Sequence, residues 1–175
     1  MVAAVVLAAG ASTRFGSPKQ RLLLEPVLER VRASSVDDVL VVLGAHEVET
    51  DARTVRCADW DRGPGASLRC GLRALDPSVR AAVVVLADGP DLDPRAIDLL
   101  IHHWYDTDEP VVAAAYAEGR RHPVLLAREV WDRIPDAGAR DLPAMLADCT
   151  HLSPPGDVDS ADDLPGRLRP SHAEP

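Results

Sequence analysis

Lysine is almost absent from this chain. Only one of the 19 basic side chains is a lysine, Lys19, and every other one is an arginine. Lysine carries a compact, flexible ammonium and arginine a planar guanidinium, so the two do not substitute freely at a site that needs a point charge. The single lysine therefore indicates a position with a specific chemical requirement.

Three other shortages exclude whole classes of protein. Cysteine occurs only at Cys57, Cys70 and Cys149, without a C-x-x-C pair, so we expect neither a disulfide framework nor a zinc site, and a cytoplasmic location. No apolar stretch approaches the roughly 20 residues that span a bilayer, and the N-terminal run lacks a basic region, so we expect no membrane segment and no export. Acidic residues outnumber basic ones by 28 to 19, for a formal net charge of −9, which argues against a nucleic-acid partner.

The segment around Lys19 is rich in glycine but matches neither of the two common phosphate-binding motifs. It runs from Gly10 to Lys19 directly after the apolar run Val2 to Ala9, and it contains neither G-x-G-x-x-G nor G-K-[ST]. Its glycines permit close approach of the backbone to a ligand, and Arg14 and Lys19 bring two cations into a small volume. We therefore predict a phosphate-binding loop of a different type.

The rest of the chain alternates strand and helix patterns. Unalternating apolar runs, typical of strands buried on both faces, are Val2 to Ala8, Val39 to Leu43, Ala81 to Leu86 and Val111 to Tyr116. Helices are predicted for Pro26 to Ala33, Ser67 to Leu75 and Pro94 to Trp104, the last capped by Asp93. This order predicts one α/β domain over residues 1–164 with a mostly parallel sheet, an antiparallel contribution near Tyr116 to Leu126, and a flexible tail over residues 165–175.

Carboxylates follow a strand and precede a predicted helix. In open α/β sheets the site forms beyond the carboxyl ends of the strands. Asp88 stands there, after the run that ends at Leu86 and before Gly89-Pro90, and it is placed to hold a hard cation such as Mg²⁺. Asp157 and Asp159 offer two further carboxylates near the end of the chain.

Several segments together resemble the MobA-like nucleotidyltransferases. Leu7-Ala8-Ala9-Gly10 with Ser12, Arg14, Gly16 and Lys19 resembles the family's L-A-A-G-x-S-x-R-x-G-x-x-K signature. Further elements follow in the family's order: Ser67-Leu68-Arg69-Cys70-Gly71-Leu72, Leu86-Ala87-Asp88-Gly89-Pro90, His122-Pro123-Val124-Leu125, Gly138-Ala139-Arg140 and Asp157-Val158-Asp159-Ser160. The pattern is most similar to the branch that contains CTP:molybdopterin cytidylyltransferase and the proteins called nicotine blue oxidoreductase.

This resemblance implies a three-layer, Rossmann-like nucleotidyltransferase fold and the transfer of a nucleotide, by preference CMP from CTP, to a phosphorylated acceptor such as molybdopterin. The implied catalytic residues are Arg14 and Lys19, which would hold the phosphates, and Asp88. Leu7, Ala8, Ala9 and Gly10 would contact the nucleotide, and backbone N–H groups of Gly10 to Gly16 would cradle its phosphates. Gly65 and Ser67 would read the base, His122 would face the acceptor, and Mg²⁺ would be held by Asp88 with either Asp157 or Asp159.

Two other functions remain open at this point. The first is an oxidoreductase that uses NAD(P)H, although the chain lacks G-x-G-x-x-G and has no acid at Leu43-Gly44-Ala45-His46, after the second predicted strand. The second is a non-catalytic nucleotide-binding partner of a molybdoenzyme. The choice between CTP and GTP is also open.

Overall fold

A seven-stranded sheet forms the centre of the molecule. The computed structural model describes residues 1–169. The strands are β1 (Val2–Ala8), β2 (Asp38–Leu43), β3 (Arg53–Arg56), β4 (Ala81–Leu86), β5 (Val111–Tyr116), β6 (Gly119–Ala127) and β7 (Met145–Asp148). Their order across the sheet is β3-β2-β1-β4-β6-β5-β7. The pairs β3–β2, β2–β1, β1–β4 and β5–β7 are parallel, and β6 is antiparallel to both β4 and β5. The predicted, mostly parallel α/β sheet with an antiparallel contribution is confirmed.

Both faces of the central strands are covered, which explains their unalternating apolar sequences. Along β1, Ala4 and Val6 pack with helices α1 (Gln20–Arg32) and α3 (Pro94–Thr107) on one face of the sheet. The intervening Ala3 and Val5 pack with helix α2 (Pro64–Arg73) on the other. Small and β-branched side chains suit a strand whose two faces both support a helix layer. The three-layer arrangement follows from this alternation.

The three predicted helices are present with shifted bounds: α2 begins at Pro64 instead of Ser67 and ends at Arg73 instead of Leu75, and the largest difference is at the start of α1. Helix α3 begins at Pro94 as predicted, with the Asp93 side chain accepting a hydrogen bond from the Arg95 backbone N–H at 3.0 Å. Helix α1, however, was predicted to begin at Pro26 and begins instead at Gln20, so Pro26 lies inside it. The buried side chains Leu23 and Leu24 extend its apolar face backwards past the proline, and this packing outweighs the missing backbone donor.

An irregularity between β5 and β6 sets the shape of the site. Ala113 pairs with Val124, but the next residue, Ala114, pairs with Arg121. His122 and Pro123 are therefore left out of the ladder, and a bulge of this kind redirects side chains at the edge of a site.

The predicted tail lies partly within the described residues. Leu168 packs against the cluster formed by Leu23, Val158 and Leu164, and the Arg167 guanidinium donates to the carbonyl of Pro90 at 3.1 Å. Residues 165–169 therefore contact the domain, whereas residues 170–175 lie outside the described part. The domain boundary at Leu164 stays a prediction.

Within residues 1–169, no helix is both long and apolar enough to cross a bilayer.

Candidate active site

The loop after β1 is held in shape by a buried amide side chain. Gln20, only 3% exposed, accepts a hydrogen bond from the Ser12 hydroxyl at 2.8 Å and donates one to the Gly10 carbonyl at 2.7 Å. Ser12 adopts a left-handed conformation with φ of 54°, and Gly16 does so with φ of 78°. Sequence reasoning missed Gln20, whose adjacency to Lys19 was the available signal. Its two bonds fix the loop before any ligand binds.

Lys19 joins three separate parts of the chain. Its Nζ donates to Asp88 Oδ2 at 3.0 Å and to the Val158 carbonyl at 2.7 Å, and it lies 3.8 Å from Asp159 Oδ1. The lysine side chain is 14% exposed. The predicted convergence of the loop, the end of β4 and the late acidic segment is therefore present in the structure.

Arg14 approaches the same acidic segment from the solvent side. Its guanidinium pairs with Asp159 Oδ2 at 2.7 Å, and the arginine side chain is 75% exposed. An exposed ion pair of this kind contributes little to stability, so a charged ligand can displace it at small cost.

The three carboxylates at this edge repel one another. The pKa of Asp157 is raised, first by burial and then by the negative charges of Asp88 and Asp159, although Lys19 opposes the shift. No cluster of three or more His, Cys, Asp or Glu side chains within residues 1–169 has metal-binding geometry. The predicted ligand set of Asp88 with either Asp157 or Asp159 stays a prediction.

Two cavities meet at Asp88. One, of about 240 Å³, is lined by the loop and the strand before it; it includes Leu7, Ala8, Gly10, Ser12, Arg14, Lys19 and Asp159. The other, of about 300 Å³, lies on the side of β6; its lining includes Val84, Leu86, Leu92, Pro123 and Arg140. Leu7 and Asp88 line both. Ala9 is buried behind the loop, where its carbonyl accepts the Ala45 backbone N–H at 3.1 Å. The two cavities therefore share the carboxylate of Asp88.

His122 lines the larger cavity as a neutral imidazole. Its Nδ1 lies 3.4 Å from the Val84 carbonyl, and because a carbonyl only accepts, Nδ1 carries the hydrogen and Nε2 the lone pair. Burial lowers the pKa of His122, although the Val84 carbonyl and Asp88 act in the opposite direction. His122 therefore contributes a hydrogen-bond acceptor rather than a positive charge.

Gly65 and Ser67 lie on α2 and line neither cavity. The Gly65 backbone N–H donates to the Asp136 carbonyl at 2.9 Å, and a Cβ atom at Gly65 would lie 1.7 Å from the Pro135 carbonyl oxygen. The glycine is thus required for close packing of α2 against the Pro135 segment. Ser67 is 4% exposed, in the interior of the helix. Base recognition by this pair stays a prediction.

Comparison with known proteins places these features in a family. The sequence matches the model of the MobA-like NTP transferase domain over residues 4–152. The structure is similar to that of a Mycobacterium tuberculosis Rv0371c homologue from Mycobacterium sp. strain JC1, with a TM-score of 0.78 and 28% sequence identity over 95% of this chain and 94% of that one. Rv0371C from M. tuberculosis H37Rv, solved in complex with manganese, gives a TM-score of 0.71 and 26% identity, covering 93% of this chain and 95% of that one.

A curated relative matches over a shorter length. The bifunctional protein GlmU of Sorangium cellulosum (strain So ce56) is 32% identical over 117 residues, which cover 55% of this chain and 25% of GlmU. The chain thus spans about a quarter of the length of this relative.

Proposed function

Because this chain belongs to the family of MobA-like NTP transferase domains, we propose that it transfers CMP from CTP to a phosphorylated acceptor such as molybdopterin and releases pyrophosphate. The observation that carries the proposal is the position of Lys19, whose Nζ lies 3.0 Å from Asp88 Oδ2 where the two cavities meet. One cavity suits the triphosphate and the other suits the acceptor, so the reacting groups would meet beside this pair.

The smaller cavity provides positive charge and backbone donors for a triphosphate. Lys19 and Arg14 line it together with Leu7, Ala8 and Gly10, and Gln20 holds the loop in place. Displacement of pyrophosphate builds negative charge on the transferring phosphoryl group and on the leaving group, so fixed cations stabilise the transition state more than the ground state. We assign this role to Lys19 and Arg14, with Ala9 as the buried support of the loop.

The acidic edge supplies carboxylate oxygens, the donors that a divalent cation such as Mg²⁺ prefers. Three carboxylates lie near one ammonium there, and the pKa of Asp157 is raised, first by burial and then by the negative charges of Asp88 and Asp159. We propose that Asp88 and either Asp157 or Asp159 hold the ion, which would supply charge neutralisation for the phosphates when bound. The structure of the related Rv0371C in complex with manganese supports this use of a divalent metal.

The larger cavity would hold the acceptor with its phosphate toward Asp88. A phosphate oxygen of the acceptor would then attack the α-phosphorus, and no covalent intermediate with the protein is needed. His122 Nε2 would accept a hydrogen bond from the acceptor. Gly65 and Ser67 line neither cavity, and we propose that they act in base selection only indirectly, through the packing of α2.

Nothing in the site favours the oxidoreductase alternative. At the end of β2, where a dinucleotide-binding fold presents an acid to the ribose, this chain has His46, whose Nε2 lies 2.8 Å from the Ala11 carbonyl and so donates to it. That contact supports the phosphate loop instead.

The direct test is release of pyrophosphate from CTP in the presence of Mg²⁺ and molybdopterin. We expect acceptor-dependent release that Lys19→Ala and Asp88→Asn each reduce at least a hundredfold, whereas Arg21→Ala, on the exposed side of α1, leaves the rate unchanged. Faster release from GTP than from CTP would reassign the nucleotide. Absence of release with every triphosphate and molybdopterin would contradict the proposed reaction.

A further inference from the structure

The larger cavity combines apolar walls with three arginines. Arg120, Arg121 and Arg140 all line it, whereas its two carboxylates, Asp88 and Asp157, lie on the side of the acidic edge. Such a cavity offers contact to an apolar body and positive charge to an anionic group. The three arginines differ in their partners, which allows their roles to be separated.

The segment that carries Arg140 is held at both ends by hydrogen bonds from arginines of other elements. At its start, the Arg69 guanidinium of α2 donates to the Ile134 carbonyl at 2.5 Å and pairs with Asp136. At its end, the Arg120 guanidinium of β6 donates to the Leu142 carbonyl at 2.5 Å and to the Ala139 carbonyl at 3.3 Å. The two carbonyls bound by Arg120 flank Arg140 on either side. The segment therefore forms a fixed wall of the cavity.

Arg120 is an unfavourable residue at this position for the stability of the fold. Its Nε is buried and has no hydrogen-bond partner within residues 1–169, and burial lowers its pKa, although the negative charge of Asp141 acts in the opposite direction. No carboxylate in that part of the chain lies within 4.0 Å of its guanidinium nitrogens. A half-buried guanidinium with an unpartnered Nε and no ion pair is unfavourable for folding alone. The hydrogen bonds of Arg120 hold the backbone on both sides of Arg140.

Arg140 is the cation that remains free to bind a ligand. Arg140 is exposed and lines the cavity, and within the described residues its side chain makes no ion pair and no hydrogen bond. Arg121, by comparison, reaches Glu118 at 4.0 Å. A guanidinium presents a planar set of donors that fits the oxygens of a phosphate in a two-point contact.

We infer that Arg140 binds the phosphate of the acceptor and that Arg120 is its positioning residue, so that this cavity selects organic phosphates with an apolar, ring-sized body. The inference rests on the proposed function and deepens it by naming the residues that recognise the acceptor. Arg140 would hold the acceptor phosphate near Asp88, while Val84, Leu92 and Pro123 contact the body.

Phenyl phosphate is a suitable probe, because it combines a phosphate monoester with a ring. The ¹⁵N-labelled protein, first saturated with CTP and Mg²⁺ to occupy the phosphate loop, is titrated with phenyl phosphate while amide signals are followed. We expect saturable shifts at Gly138, Ala139 and Arg140, and at least tenfold weaker binding in Arg140→Gln. The matched control is Arg133→Gln, an exposed arginine outside the cavity, which should bind as the wild type does.

Two further measurements separate the roles. Arg120→Gln should weaken phenyl phosphate binding and also speed hydrogen exchange at the amides of residues 139–142, whereas Arg140→Gln should leave that exchange unchanged. Benzoate and inorganic phosphate should each bind at least tenfold more weakly than phenyl phosphate, because one lacks the phosphate and the other lacks the ring.

The outcomes distinguish this inference from the proposed function. Normal CTP affinity together with unchanged phenyl phosphate binding in Arg140→Gln would overturn the inference alone, as would equal binding of benzoate. Failure of the wild-type protein to bind any nucleoside triphosphate would instead overturn the proposed function.

Discussion

The ammonium of Lys19 lies 3.0 Å from a carboxylate oxygen of Asp88, although 69 positions separate the two residues in sequence. The contact follows from the sheet, because β1 and β4 are parallel neighbours in which Leu7 pairs with Leu86. The segments that follow these strands must therefore leave the sheet at the same edge. In the absence of a ligand, the lysine neutralises the carboxylate that we assign to the metal.

Replacing Lys19 should weaken binding of the triphosphate without unfolding the protein. Charge-assisted hydrogen bonds contribute roughly 1.5–3 kcal/mol, so we expect Lys19→Ala to raise the Kd for CTP with Mg²⁺ by about ten- to a hundredfold. Titration calorimetry measures this change, and a thermal melt should show little difference in Tm. Arg21→Ala is the control, since Arg21 is an exposed cation two residues further on. A large drop in Tm with unchanged CTP affinity would show that Lys19 only supports the fold.

Much of this arrangement could be predicted from the sequence, and the exceptions have physical causes. Strands β1 and β4 were recognisable because burial on both faces leaves an unbroken apolar run. The edge strand β3, Arg53–Arg56, has no such run because three of its four residues are exposed, and β7 was missed for a similar reason. An edge strand is defined by its pairing, which local sequence does not encode.

The site residues likewise divide into those that the sequence predicted and those that it did not. Lys19, Arg14, Asp88 and Asp159 come together as predicted, because they stand next to strand ends or in loops that meet that edge. The contacts of Gln20 and Arg120 were not predictable, since each depends on backbone carbonyls presented by the tertiary fold.

Asp88→Asn should remove the effect of a divalent metal on nucleotide binding. The amide can still accept a hydrogen bond from Lys19, but it carries no charge for a hard cation. We expect Mn²⁺ to tighten CTP binding at least tenfold in the wild type and less than twofold in the variant, as measured by calorimetry with and without the metal. Asp106→Asn, an exposed residue on α3, should behave as the wild type does. An undiminished effect of Mn²⁺ in Asp88→Asn would place the metal elsewhere.

The raised pKa of Asp157 predicts a pH-dependent gain in stability when its charge is removed. A carboxyl whose pKa is higher in the folded than in the unfolded state favours folding in its protonated form, and this contribution is lost as the pH rises through the folded-state pKa. Asp157→Asn should therefore raise Tm at pH 7. We expect a rise of only about 1–2 °C, because solvent screens the charge of this partly exposed group. The gain in Tm should shrink as the pH falls into the acid range. Melts in metal-free buffer across this range test the prediction; a variant that melts below the wild type at pH 7 would contradict it.

Gly65 should be required for packing. An added methyl group would overlap the Pro135 carbonyl oxygen, so α2 or the Pro135 segment would have to move. Overpacking of this kind costs typically 1–3 kcal/mol, and we expect Gly65→Ala to lower Tm by about 2–12 °C. Gly166→Ala is the control, because a Cβ there meets no atom within 4 Å. Equal Tm values for the two variants would show that a methyl group fits at position 65, and would contradict the prediction.

The most direct test of the central claim is a thermal-shift panel of CTP, GTP, ATP, UTP and NADPH, each with and without Mg²⁺. A ligand that binds only the folded state stabilises it by RT ln(1 + [L]/Kd), about 2.7 kcal/mol at a hundredfold excess over Kd. We predict a rise in Tm with CTP that requires Mg²⁺, exceeds the rise with the other triphosphates and is lost in Lys19→Ala. A rise with NADPH alone, independent of Mg²⁺, would contradict the assignment as a nucleotidyltransferase.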